Sequence, residues 1–163
     1  MNDKDINIQH LKFTQRPIPI PVDYRPLYKI SIIILVLKLC CRDNASTLLK
    51  LHLFSWILKS DSNMNVMRNY IVSNYKKEIE FWNIEPALNR ALQFAVADGL
   101  CEMTSTKKYK LTEKGESFYN SIIESESFTK EIGFLKFVGK NKITDSRIDE
   151  MTKQWKLQYV ENK

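Results

Sequence analysis

Glycine is scarce in this chain, with 4 among 163 residues. Tight hairpins lean on glycine, so a protein made of many of them is excluded and helices are favoured. Histidine occurs twice, as His10 and His52, with no partner at the spacing of a metal site, and no glycine-rich phosphate loop is present. Nothing supplies a nucleophile, a base and an orienting group, so the chain is expected not to be an enzyme. Of the three cysteines, adjacent Cys40 and Cys41 would diverge on a helix, and Cys101 stands alone. They read as buried thiols of a reducing cytosol, with no disulfide, no metal and no cofactor. The longest apolar run, Ile30 to Leu37, is interrupted by Ser31 and stops at Lys38. That is well short of the ~20 residues needed to span a bilayer, and it starts too far from Met1 for a usual signal peptide. A buried helix in a cytoplasmic protein without membrane contact is the expectation.

What is present is ordinary for a globular chain: 44% hydrophobic and 27% charged residues. A chain of this length buries roughly 70% of its unfolded surface and needs no covalent staple. The formal net charge of +6 favours anionic partners, nucleic acid first among them. Acidic residues are nevertheless interspersed almost everywhere.

Three parts are expected. Residues 1–22 form a tail and a proline-rich strap, in which Pro17, Pro19 and Pro21 alternate with Ile18, Ile20 and Val22. Proline fixes φ and pushes each preceding residue to extended geometry, so the strap is stiff. It is either a lead-in to the first helix or a docking strap, with Ile18, Ile20 and Tyr24 as candidate partner contacts. Residues 23–126 form the main domain and 127–163 a C-terminal helical extension. Asp23 is the expected cap of a helix running to about Cys41, apolar on most sides, which suits a core centre or an intersubunit seam. Ala45-Ser46-Thr47 is expected to open a second helix, Lys59 to Asn63 to close it, and Asn65 to Lys77 to form a third. In the last helix Ile148, Met151, Trp155 and Tyr159 share one face, which packs on the same chain or on a partner.

Residues 85–123 are the most informative. Glu85-Pro86 starts a helix whose apolar face is Leu88, Ala91, Leu92 and Ala95, and Gly99 stands where a left-handed C-cap is wanted. Leu100 to Met103 and Tyr109 to Leu111 read as two strands around a polar tip, and Thr112 opens the next helix. The tip lacks glycine, so its loop should exceed two residues. A helix, then Asp98-Gly99-Leu100, a hairpin, and Leu111-Thr112-Glu113-Lys114-Gly115 leading into a helix resembles the winged helix-turn-helix superfamily over about residues 24–125. The expected fold is mainly α: the resemblance implies a winged helix-turn-helix core with one β-hairpin wing, and the C-terminal helical extension follows it.

In such folds the helix before the hairpin can enter the major groove of DNA. Here that helix would expose Asn89, Arg90, Gln93 and Phe94, a thin set for reading bases. The wing carries Lys107, Lys108 and Lys110, which with Arg90 are the candidate contacts to the DNA backbone. Three lysines on three phosphates would give a slope of log affinity against log salt of about −2.7, a sequence-blind grip. The other reading is a hairpin kept soluble by its lysines. Aromatic residues (Phe54, Trp56, Tyr70, Tyr75, Phe81, Trp82) supply material for partner contacts, as do Trp155 and Tyr159.

The segment Arg16 to Leu27, the apolar helix after it, and Leu49-Lys50-Leu51-His52-Leu53-Phe54-Ser55-Trp56 are similar to the small middle component of bacterial ABC-three-component systems. In particular they resemble the third subunit of Lamassu-type antiphage defence complexes. That resemblance implies an accessory protein bound to an ATPase of the structural-maintenance-of-chromosomes (SMC) type and to an effector subunit, often a nuclease. It would bridge these chains or help clamp double-stranded DNA without sequence preference. Residues 1–12 and the last helix carry no part of the resemblance. The alternative from another class is a free-standing winged-helix transcription regulator.

Overall fold

A computed structural model describes residues 21, 24–77, 79 and 84–161, with side chains described as far as Gln154. The tail, Ile18, Ile20, Asp23, Phe81 and Trp82 lie outside the described residues. Among those described, the chain is mainly helical: α1 (Pro26–Cys40), α2 (Leu48–Ile57), α3 (Asp61–Val72), α4 (Pro86–Ala97), α5 (Glu113–Glu124), α6 (Thr129–Val138) and α7 (Asp145–Glu161). Strands β1 (Ala45–Ser46), β2 (Cys101–Met103) and β3 (Tyr109–Leu111) form one antiparallel sheet in the order β1-β3-β2. No described helix is long and apolar enough to cross a membrane.

Helix α1 begins at Pro26 with Arg25 extended before it, rather than at Tyr24 as an Asp23 cap would require. Proline is harmless at the first helical position, where its missing N–H would have no partner anyway. Ile30 and Ile32 through Leu37 are all buried, and α1 packs against α2, α4, α5 and α6. The helix is therefore the core centre and not an exposed seam. Its polar side chains are each engaged: Ser31 donates to the Leu27 carbonyl at 2.9 Å, and Lys38 reaches Glu116 of α5 at 2.8 Å.

Two boundaries differ from expectation. Ala45 and Ser46 do not open α2; they pair with Lys110 and Tyr109 and add a third strand to the hairpin. Thr47 is the cap, its hydroxyl accepting from the Lys50 N–H at 3.4 Å. Lys59 to Asn63 is a start as well as a stop: Ser60 accepts from the Asn63 N–H at 3.1 Å and caps α3, which ends at Val72 rather than Lys77. Asn74 and Tyr75 then take positive φ and turn the chain.

The hairpin forms from the two expected strand segments, and they pair with Cys101 opposite Leu111, Glu102 opposite Lys110 and Met103 opposite Tyr109. Its tip closes without glycine because Lys107 adopts φ +58° and the Thr104 N–H reaches the Lys108 carbonyl at 2.8 Å. Gly99, at φ +70°, ends α4. Thr112 caps α5 by accepting from the Gly115 N–H at 3.1 Å. A methyl group on Gly115 would run into the Leu100 carbonyl oxygen and lie 2.6 Å from Leu111 Cδ1, so this glycine lets α5 rest on the hairpin base. Helices α6 and α7 join the same core through Phe134, Leu135, Val138, Ile148 and Met151. The inner half of the α7 stripe thus packs on its own chain. Trp155 and Tyr159 lie on α7, but their side chains fall outside the described residues.

Candidate functional site

One buried polar cluster ties α1, α2 and the start of α4 together. Lys29, 2% exposed, donates to Ser55 Oγ and to Glu85 Oε2, both at 2.8 Å, and Ser55 itself donates to Glu85 Oε2 at 2.8 Å. Burial pushes the Glu85 carboxyl up, but hydrogen bonds from Lys29 and Ser55 and the ammonium charges of Lys29 and Lys59 outweigh it and hold the group below its ordinary value. A serine beside a lysine suggests a nucleophile and its base. Here the lysine donates to the serine rather than accepting from it, and Ser55 is buried. The arrangement is a latch between helices.

His52 extends this cluster. Its Nδ1 accepts from the Glu85 N–H at 3.1 Å and its Nε2 faces Asn89 Oδ1 at 3.0 Å, which fixes the neutral tautomer with the proton on Nε2. Burial is the main cause that lowers its pKa. His52 is a satisfied core histidine, as its apolar setting suggests. The contact also corrects one expectation, because Asn89 is not offered to solvent but spent on His52. Arg90, Gln93 and Phe94 remain exposed on α4. The thiols are sealed as well: burial pushes both Cys40 and Cys101 up to about 12 and raises Cys41. Thiols held protonated in this way are poor nucleophiles and poor metal ligands.

The accessible chemistry lies at the other end of the molecule. The hairpin tip, the turn before β1, the start of α2 and the N-terminus of α7 enclose a cavity of about 530 Å³. Arg42, Lys50, Lys108 and Lys140 line it, against two carboxylates, Asp43 and Asp145. Hydroxyls of Thr104, Thr106 and Thr144 complete its polar wall. Thr144 caps α7 by accepting from the Arg147 N–H at 3.2 Å, and Asp145 and Ser146 bring the first turn of that helix to the cavity. The first N–H groups of a helix have no partner within it and point outward with partial positive charge. Lys108 bonds Asp145 at 2.9 Å, and Arg42 donates to Asn141 at 3.0 Å. The cavity's four cationic side chains outnumber its two carboxylates, and its volume falls in the range of small-molecule sites.

The four candidate DNA-backbone residues are split by the fold. Lys107 stands exposed at the hairpin tip, and Lys110 is exposed on β3 opposite Glu102. Lys108 turns to Asp145 and is half-buried, so it is not the free phosphate contact expected of it. Arg90 lines a different cavity, of about 470 Å³, with Lys59, Glu85, Trp56 and the candidate partner residue Tyr24, which is exposed. Several aromatics expected at an interface serve the fold instead. Phe54 and Tyr70 are buried, and Tyr75 carries the Arg147 guanidinium 3.9 Å above its ring.

Sequence reasoning missed Lys50, Arg42, Lys140 and the start of α7 as one site. The available signal was Lys50 itself, a lone cation in Leu48-Leu49-Lys50-Leu51. No family model matches this sequence, and no curated protein or solved structure is significantly similar to it.

Proposed function

We propose that this chain is a non-catalytic accessory subunit that holds an anionic partner at its hairpin end. In the setting implied by the resemblance, it bridges an SMC-like ATPase and a nuclease-type effector in a cytoplasmic antiphage defence complex and grips the DNA backbone. The observation that carries the reading is the division of labour between the two ends. Reactive groups (the thiols, His52, Ser55) are buried, whereas Arg42, Lys107, Lys110 and Lys140 gather in and around the hairpin. A hairpin directly after a helix, in a three-stranded sheet of order β1-β3-β2 flanked by helices, supports a winged-helix core. The alternative of a sequence-reading regulator has less support, because α4 keeps Arg90 and Gln93 as its exposed polar readers once Asn89 is engaged.

Two measurements test this reading. Binding of random and genomic duplex DNA, titrated at two salt concentrations, should be equal for the two and weaken with salt. With Lys108 engaged, the slope should lie between about −1.8 and −2.7. Reversing the charge of Lys107 and Lys110 should abolish it, and a strong preference for one sequence would favour the regulator. Co-expression with an SMC-like ATPase encoded beside this chain should give a complex stable to size exclusion. Separate migration at micromolar concentration overturns the subunit assignment.

A further inference from the structure

We propose that the cavity between the hairpin tip and the start of α7 is a binding site for the phosphate group of a small ligand of nucleotide size, with Lys50 as its buried counter-charge. The inference does not rest on DNA binding, which falls to the exposed Lys107 and Lys110. It begins with an unusual lysine. Lys50 is 4% exposed, and among the described residues no hydrogen bond or ion pair reaches its ammonium group. Lysines this buried are as a rule paired, because an unpaired charge away from water is costly. No fully enclosed polar side-chain atom lacks a partner, so the Lys50 ammonium has its opening through the cavity wall that the residue forms.

Independent features converge on the same space. The N-terminal turn of α7, 17 residues long, presents Asp145 and Ser146 at the wall, where N–H groups and the helix dipole favour an anion. Arg42 and Lys140 add charge at the rim; Thr104 and Thr106, whose hydroxyls bond each other at 3.0 Å, leave one donor between them, and Thr144 offers another. A phosphate dianion is matched by this set in charge, in its appetite for several donors and in size. Two carboxylates on the wall, Asp43 and Asp145, oppose it; Lys108 neutralises Asp145 from 2.9 Å, and Arg42, Lys50 and Lys140 together outweigh Asp43. The site therefore takes a phosphate ester or a free phosphate, two sources with one chemistry.

The test is thermal unfolding and titration calorimetry of the whole chain with inorganic phosphate and, separately, with AMP, each against chloride of equal ionic strength. At about ten times Kd, either ligand should raise Tm by about 3–5 °C. Tighter binding of AMP identifies a nucleotide as the source, and equal binding identifies free phosphate. Lys50→Met should lose the shift, while charge reversal at Lys107 and Lys110 should leave it intact. Should Lys50→Met fail to fold, the rim variant Arg42→Gln with Lys140→Gln, which leaves the core untouched, should weaken binding at least tenfold. No shift with either ligand up to about 10 mM, well past the weakest useful Kd, overturns the proposal. An undiminished shift in both Lys50→Met and the rim variant overturns it equally.

Discussion

Lys29 and Lys50 are both shut away from bulk water, at 2% and 4% exposure, yet they keep opposite company. Lys29 sits on α1 with Ser55 and Glu85 at 2.8 Å, while the Lys50 ammonium on α2 faces a cavity of about 530 Å³. The first arrangement is complete: donors and acceptors answer one another and bind three helices together. The second is open: Lys108 is answered by Asp145, whereas the Lys50 ammonium has no hydrogen bond or ion pair among the described residues. Burial alone does not separate structural from functional charge. What separates them is whether the partner is supplied by the chain.

The comparison breaks most visibly at Glu85. Glu85→Ala strips one acceptor from each of Lys29 and Ser55, and removing one member of a buried pair costs about 3–5 kcal/mol. Chemical denaturation should record a loss of that order. Lys29→Met combined with Glu85→Leu should recover most of it, because both members of the buried ion pair leave together and apolar chains fill their place. A loss under about 1 kcal/mol in Glu85→Ala would mean that Lys29 finds water, and the contrast with Lys50 would vanish.

A somewhat smaller loss is expected at Gly115, which underlies the hairpin rather than the latch. Gly115→Ala drives a methyl group against the Leu100 carbonyl and Leu111, and overpacking of this kind costs about 2–3 kcal/mol. The hairpin carries Thr104, Thr106 and Lys108 to the cavity wall, so phosphate binding should weaken in the same variant. Equal stability by denaturation would show that α5 tilts away freely.

At Lys50 the sign reverses. Lys50→Met, without ligand, should gain about 1 kcal/mol, since a charge with no partner is replaced by an apolar chain of similar length. A gain in stability with loss of phosphate binding is the pattern of a site kept at a cost to the fold. A loss of stability would place Lys50 among the structural lysines beside Lys29.

Local signals carried much of the architecture. Gly99 and Thr112 bracket the hairpin as a C-cap and an N-cap, so residues 100–111 were legible from the chain alone. The third strand was not, because two residues show no alternation and Ala45 finds its partner in distant Lys110. Helix α3 was misplaced because Ser60 and Asp61 read equally well as a stop and as a start, and packing of Met64, Met67 and Tyr70 decides between them. The latch was invisible for a similar reason. Lys29, Ser55 and Glu85 belong to three segments that meet only once α1, α2 and α4 are packed. Of the wing lysines, sequence placed all three on the hairpin, but the ion pair of Lys108 depends on where α7 begins.

The smallest effect, and the one that separates the two regions by pH, concerns His52. Its folded pKa lies below the ordinary 6.5, chiefly through burial, so the unfolded chain takes up a proton that the folded chain refuses. Stability is therefore full above about pH 6.5 and falls as pH drops below it. Protonation would also set an N–H against the Glu85 N–H that Nδ1 now accepts. Glu85 adds a second loss lower down: its folded pKa is depressed below 4.5, so its contribution is present above that value and fades as pH falls beneath it. Denaturation between pH 4 and 8 should show the upper phase in the wild type and lose it in His52→Gln. AMP binding should weaken over a similar range for a different reason, because a phosphate ester's own second pKa lies at about 6. That weakening should persist in His52→Gln. If the two phases disappear together, the latch and the cavity are one coupled unit and not two regions with separate work.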